Sequence, residues 1–283
     1  MPKSGLFNLK SWKRGDERAP HKPLLALLAI GRLKKGQTAF RFDEIENSLK
    51  NLLNDFGPPR NNVRPEYPFV RLASDGIWTF NKPELIKPNT DYSPKRLREF
   101  NLKAGFTLEI IELLSNDEVA LKNVVNQLLE DNFPETYHQD ILDAVGLTGY
   151  INTRTKIRDP YFRQKVLTSY QYKCAVCDYN IRLQNKPVGI EAAHIKWHQA
   201  GGPANENNGV ALCSLHHKLL DYGAFTLDDK MQVVVSENVN GTGIEEHLFR
   251  YEGKAIWLPR NKSYYPNEEF VSWHAREVFV DYK

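Results

Sequence analysis

Cys174 and Cys177 are spaced as Cys-x-x-Cys, and Cys213 and His216 as Cys-x-x-His. The first pair makes a tight knuckle that turns two thiolates toward one point, and the second can complete a tetrahedral Cys₃His set. All four positions would then be filled by protein, the pattern of a structural Zn²⁺ rather than a catalytic one. These are the only 3 cysteines of the chain. His216 and His217 are adjacent, so either could close the set. The Cys-x-x-His spacing favours His216 and turns His217 to another side of a helix.

A second group of residues is interleaved with the first. Ile190-Glu-Ala-Ala-His194 reads as a short strand ending in histidine, Asn205 to Cys213 as a loop and strand, and Ser214 to Asp221 as a helix start. Strand, strand and helix around a metal is the ββα-metal arrangement. Ala-Ala-His194-Ile, then Asn208-Gly-Val-x-Leu-Cys213-x-x-His-His217-x-x-x-Asp221, resembles the HNH endonucleases. Phosphodiester hydrolysis needs a base for the attacking water and a cation for the charge that builds on phosphorus and the leaving oxygen. The resemblance implies that His194 is the base and that His217 holds a divalent ion, Mg²⁺ or Mn²⁺, against the phosphate. It also implies that Asn208 fixes the loop and, through it, His194. Many HNH nucleases carry Asp immediately before the first His; here it is Ala193, a lack shared by the Ala-Ala-His subgroup. That leaves the other ligands of the ion open among waters, phosphate oxygens, Asn208 and His194 itself, with His198 as a competitor. Strand alternation predicts that Glu191 faces away from His194.

The elements that must position these groups can be read outward from them. Asp159-Pro160 caps and opens a helix whose buried face is Phe162, Val166, Leu167 and Tyr170, and which delivers the chain to Cys174. Short strands around Met231 to Ser236 and a helical end around Phe270 to Val278 follow the motif. Upstream, Pro23 and Gly31 bracket an apolar helix, and Phe42 to Phe56 has helical spacing up to Gly57-Pro-Pro. Tyr67 to Leu72 and Gly76 to Phe80 flank a turn and predict a β-hairpin. Ser115 to Glu118 predicts a capping box for a helix that ends at Pro134, and a further helix runs near Thr136 to Val145. The expected organisation is α+β. A small helical and β-hairpin DNA-binding domain spans 1–150, with a helical extension, and a ββα-metal nuclease domain with structural zinc spans 151–283.

Bulk properties narrow the partners. The chain has 283 residues, 41% hydrophobic and 26% charged, with a net charge of +3. Residues 1–103 hold 20 Lys and Arg against 11 Asp and Glu, residues 104–150 hold 1 against 9, and residues 151–283 hold 17 against 15. A basic N-terminal region suggests a polyanion partner. The apolar run Leu24 to Ile30 is too short to span a bilayer, the first residues lack the secretory pattern, and the cysteine usage predicts a reducing cytoplasm.

Ala19-Pro-His-Lys-Pro-Leu-Leu25, with Tyr67-Pro-Phe-Val-Arg-Leu72 and Asp75-Gly-Ile-Trp78, resembles the sulfur-binding domain of phosphorothioate-dependent McrA-like restriction endonucleases. In that family the domain recognises DNA in which sulfur replaces one non-bridging phosphate oxygen. Sulfur is softer and less hydrated than oxygen, so an apolar concavity prefers it while neighbouring cations hold the phosphate. The resemblance implies that His21 and Lys22 contact the modified phosphate and that Tyr67 and Pro68 wall the pocket. Lys22 stands where the family often has Arg, keeping the charge but losing the bidentate fork. Arg60, Asn61, Asn62, Arg64 and Arg71 are candidates for phosphate or base-edge contacts. The implied function is a modification-dependent restriction endonuclease acting on double-stranded DNA, a possible homodimer that defends a cell against foreign modified DNA. Two other readings stay open. The N-terminal domain could read another mark, such as a modified cytosine flipped against Trp12 and Trp78, or the chain could be a non-catalytic zinc-containing DNA-binding protein.

Overall fold

The computed structural model describes Phe7, Leu9 and residues 15–87, 90–150 and 160–281. Trp12 and residues 151–159, with the expected domain junction and the Asp159 cap, lie outside the described residues. The chain forms two compact units, Met1–Arg154 and Thr155–Lys283. Among the described residues, no helix is long and apolar enough to cross a membrane.

The first unit is organised around α1 (His21–Leu33), whose residues from Pro23 to Leu33 are buried except Arg32. A helix that is apolar almost all round must be enclosed. It is followed by β1 (Ala39–Arg41), α2 (Phe42–Phe56), α3 (Glu66–Arg71), β2 (Trp78–Phe80), α4 (Pro94–Phe100), β3 (Lys103–Phe106), α5 (Leu108–Asn116), α6 (Glu118–Asn132) and α7 (Glu135–Val145). α2, α3, α5, α6 and α7 pack on α1. At Gly31 a Cβ would sit 1.9 Å from the Val145 carbonyl oxygen, so the crossing of α1 and α7 admits only glycine. The three strands form an antiparallel sheet in the order β1-β3-β2.

Three expectations are corrected here. Tyr67 to Leu72 is not the first strand of a hairpin; it is helix α3 running into a 3₁₀ turn over Leu72–Asp75, and β2 pairs with β3 instead. A short apolar run does not distinguish strand from buried helix. Pro65 already has helical backbone angles (φ −64°, ψ −23°), and Pro68 falls in the first turn, where a missing N–H leaves no hydrogen bond unmade. The helical winding seats Phe69 against Phe42, Trp78 and Phe80. Trp78 is 3% exposed and packs on Phe40, Phe69 and Phe106, so it is a core residue and no wall for a flipped base. Ser115 lies inside α5; the cap of α6 is Asp117, whose carboxylate accepts from the backbone N–H of Val119 at 3.0 Å and of Ala120 at 2.9 Å. An anionic cap also complements the helix dipole.

The second unit runs α8 (Pro160–Ser169), the hairpin β4 (Ile181–Leu183) and β5 (Lys186–Val188), the pair β6 (Ile190–His194) and β7 (Gly209–Cys213), α9 (Ser214–Asp221), the pair β8 (Phe225–Leu227) and β9 (Val233–Val235), α10 (Ile244–His247) and α11 (Glu268–Glu277). β6 and β7 are antiparallel, with Ile190 opposite Cys213 and His194 opposite Gly209. α8 packs on both strands, burying Phe162, Val166, Leu167 and Tyr170, and α9 packs beside them. A Cβ on Gly209 would come 2.3 Å from the Val166 Cγ2 methyl, so glycine opposite His194 lets α8 approach.

Candidate active site and metal centre

The knuckle after α8 and the start of α9 bring four ligands together. One donor atom from each of Cys174, Cys177, Cys213 and His216 lies within 4.8 Å of the others. His216 Nδ1 is 3.7 Å from Cys174 Sγ and 3.2 Å from Cys213 Sγ, and Cys177 Sγ is 3.9 Å from Cys213 Sγ. Ligand atoms bonded to a central ion at about 2.3 Å in a tetrahedron stand roughly 3.8 Å apart, so the cluster fits a metal ion. His216 Nε2 is 2.8 Å from the His247 carbonyl oxygen, to which it donates, leaving Nδ1 as the ligand atom. This geometry favours His216 over His217 for the cluster. Crowded thiols cannot all ionise without a cation. Hydrogen bonding to Cys177 and Cys213 pushes the Cys174 thiol up, while bonding to Cys174 and Cys177 pulls Cys213 down.

His194 ends β6 and lies flat on Phe162 of α8, with ring centroids 4.0 Å apart and 14° between planes. Asn208 is fully buried and closes the loop that follows His194. Its Oδ1 accepts from the Lys196 N–H at 2.8 Å; its Nδ2 donates to the carbonyls of Lys196 and Pro203, each at 2.9 Å. The Ile195 N–H donates to the Asn208 carbonyl at 3.0 Å. Asn208 therefore ties the backbone on both sides of its loop, and all three of these side-chain bonds go to main-chain groups. His217, one residue past the metal cluster, meets Glu191 of β6 instead: Nδ1 is 2.6 Å from Glu191 Oε2, and Ser214 Oγ donates to Glu191 Oε1 at 2.7 Å. The hydrogen bond from His217 holds the Glu191 carboxyl below its usual range. His217 Nε2 faces Asp221 Oδ2 at 3.4 Å. Asp221 Oδ1 accepts from Trp197 Nε1 at 3.0 Å. His198 is exposed on a 3₁₀ turn.

In the first unit, His21 opens α1 and is partly buried. Burial, and then the nearby Arg60 and Arg18 charges, lower its pKa to about 4, so its imidazole is neutral at neutral pH. Lys22 Nζ is 2.6 Å from Asp75 Oδ2 and 3.2 Å from Ser74 Oγ, joining α1 to the turn after α3. Two guanidinium groups lie against Tyr67: that of Arg71 is 4.4 Å and that of Arg64 5.1 Å from its ring centre. Arg64 Nη1 also donates to the Tyr67 hydroxyl, and Arg71 pairs with Asp91 at 2.5 Å. Pro68 is buried. Arg60, Asn61, Asn62, Arg64 and Arg71 are exposed.

Residues 4–150 match the family model of the ScoMcrA-like DNA sulfur-binding domain. The chain belongs to this family. Residues 174–228 match the HNH endonuclease model, so the sulfur-binding domain is followed by a metal-dependent nuclease domain. No curated protein matches the chain. Among solved structures, the sulfur-binding domain of SprMcrA complexed with phosphorothioated DNA is similar at 23% identity and a TM-score of 0.44, over 51% of this chain and 91% of that one. That of ScoMcrA with phosphorothioated DNA is similar at 19% identity and 0.42, over 50% and 92%. The modification-dependent TagI restriction endonuclease is similar at 22% identity and 0.32, over 43% and 38%.

In this sulfur-binding domain the residues singled out from sequence fall into two groups. His21 lies near Arg18 and Arg60, and Tyr67 lies with Arg64 and Arg71. In the HNH domain, the sequence gives Phe162, Trp197 and Asp221 no role at the site, and strand alternation places Glu191 on the face of β6 away from His194, with at most a supporting role. Asp221 and Glu191 carried a signal, lying within the motif itself. Phe162 looked like any core aromatic, and nothing in the sequence joins Trp197 to Asp221.

Proposed function

We propose that this chain is a modification-dependent restriction endonuclease whose sulfur-binding domain finds phosphorothioated double-stranded DNA and whose HNH domain hydrolyses a phosphodiester nearby. The observation that carries this reading is the joint match of a DNA sulfur-binding domain over 4–150 and an HNH endonuclease domain over 174–228 on one chain. The similar sulfur-binding domains of SprMcrA and ScoMcrA are complexed with phosphorothioated DNA.

On this reading, residues 1–150 recognise and residues 151–283 cut. Tyr67 and Pro68 offer sulfur an apolar wall, and neutral His21 donates a hydrogen bond without demanding a hydrated anion. Arg60, Arg64 and Arg71 hold phosphates or base edges, and Lys22, tied to Asp75, braces the start of α1. In the nuclease domain Cys174, Cys177, Cys213 and His216 hold a structural Zn²⁺. His194 takes the proton of the attacking water, its ring set by Phe162 and its backbone by Asn208. His217 is the ligand of a catalytic Mg²⁺ or Mn²⁺, which supplies a positive charge for the phosphorane-like transition state. Cutting both strands calls for two such sites, which favours a homodimer on DNA.

One plasmid prepared with and without phosphorothioate, incubated with the chain in Mg²⁺ and then Mn²⁺, tests the reading. Cleavage of the modified form alone is expected. Cleavage of both forms would remove the sulfur pocket from the mechanism, and cleavage of neither would remove the nuclease.

A further inference from the structure

Ala193 removes from β6 the carboxylate that many HNH nucleases offer to the ion, and its side chain is fully buried. A single imidazole is a weak hold on a hard divalent cation, which prefers oxygen. The neighbourhood of His217 supplies oxygen from elsewhere. We propose that the catalytic ion is held between His217 Nε2 and Asp221 Oδ2, with Glu191 anchoring His217 from the opposite side of its ring. This deepens the nuclease reading and rests on it.

Three features carry the inference. First, the two ring nitrogens of His217 are divided. Nδ1 is 2.6 Å from Glu191 Oε2, and Glu191 is held in turn by Ser214 Oγ at 2.7 Å. A carboxylate on Nδ1 keeps the proton there, orients the ring and makes Nε2 the basic atom, the usual arrangement behind a metal-bound histidine. Second, Nε2 and Asp221 Oδ2 converge at 3.4 Å, one helical turn apart on α9. Neighbouring ligand atoms on an octahedral ion with bonds of about 2.1 Å stand roughly 3 Å apart, so a small closing movement brings both onto one cation. Third, Asp221 is built in. Its side chain is 3% exposed, and Trp197 Nε1 fixes its other oxygen at 3.0 Å. Burying a carboxylate to that extent is costly, and a cation beside Oδ2 would offset that cost. A second proton on His217 would offset it too and make Glu191–His217–Asp221 a structural ion triad, which is the outcome the test must separate.

The test uses the full zinc-loaded chain and Mn²⁺ as the probe, followed by calorimetry and by the electron paramagnetic resonance signal of free Mn²⁺. Wild type is expected to take up one Mn²⁺ beyond the zinc cluster. Glu191→Gln is nearly isosteric and half-exposed, so it should keep its zinc and fold while losing about 10- to 100-fold in Mn²⁺ affinity. Asp221→Asn should lose at least as much. In the metal-free site, ¹⁵N spectra should show His217 as the Nδ1–H tautomer. Mn²⁺ affinity unchanged in either variant overturns the proposal, as does a wild-type chain that takes up no extra Mn²⁺. If Asp221→Asn loses its zinc, Glu191→Gln alone decides. Asp221-dependent Mn²⁺ binding without any DNA cleavage would sink the nuclease reading and leave the ion site standing. Cleavage with Mn²⁺ binding indifferent to Asp221 would do the reverse.

Discussion

The imidazole of His194 is stacked on the ring of Phe162, 4.0 Å between centroids and 14° from parallel. The stack ties the proposed base to α8, an element outside the two strands and helix of the metal motif. Replacing His194 by alanine should abolish cleavage with DNA binding retained. Phe162→Leu keeps the core filled but loses the flat surface, and should lower kcat about 10- to 100-fold with little change in KM, since small misplacements of a catalytic group cost that much. Single-turnover cleavage separates the two. Wild-type kcat in Phe162→Leu would refute a positioning role for the stack.

Asn208 makes three side-chain hydrogen bonds to the loop after His194 while fully buried. Alanine removes all three bonds, and a buried backbone group left unmatched costs about 1–3 kcal/mol. Denaturant unfolding should register a loss of several kcal/mol. Asp fits the space but cannot donate, so Asn208→Asp should be no rescue.

Removing a metal ion from the Cys₃His cluster should unfold the second unit. The cluster residues come from the knuckle after α8, the end of β7 and the start of α9, so a bound ion would tie three segments. Structural sites of this kind contribute on the order of 10 kcal/mol. A strong chelator or Cys213→Ser should release the metal and lower the melting temperature. A chain that melts identically with and without its metal would contradict this.

His21 makes stability depend on pH. Its pKa is lowered to about 4 by burial first and then by Arg60 and Arg18, against an ordinary 6.5. Above 6.5 neither folded nor unfolded chain carries the proton. Between 6.5 and about 4 the unfolded chain binds a proton that the folded one refuses, so stability present above 6.5 is lost as pH falls, by at most about 3 kcal/mol. His21→Gln should flatten the denaturation profile over that window.

Tyr67 and the arginines should separate in their effects on binding. Arg60→Ala should weaken modified and unmodified DNA alike and reduce the salt slope by about 1, as loss of one phosphate contact does. Tyr67→Ala should erase the preference for phosphorothioate over phosphate in a competition assay. Equal losses on both DNAs in both variants would assign Tyr67 to phosphate binding with its flanking arginines.

The amino-acid order by itself determined what depends on spacing along the chain. Cys174 and Cys177, and Cys213 and His216, are near neighbours, and Ile190 to Asp221 carries its own strand, strand and helix, so the metal-ligand cluster and the HNH domain were legible. α1 and α2 were legible for the same reason, their apolar spacing being local. What folding decided were choices between near-equal local options and contacts across long separations. Tyr67 to Leu72 could have been strand or helix, and the docking of Phe69 on Phe42 and Trp78 selected helix. The capping box expected at Ser115 gave way to the Asp117 carboxylate, because Ser115 lies inside α5. The stack of Phe162 on His194, the grip of Glu191 on His217, and the bond from Trp197 to Asp221 join residues 24 to 32 positions apart. No local pattern encodes such pairs, because each exists only once α8, β6 and α9 are packed together.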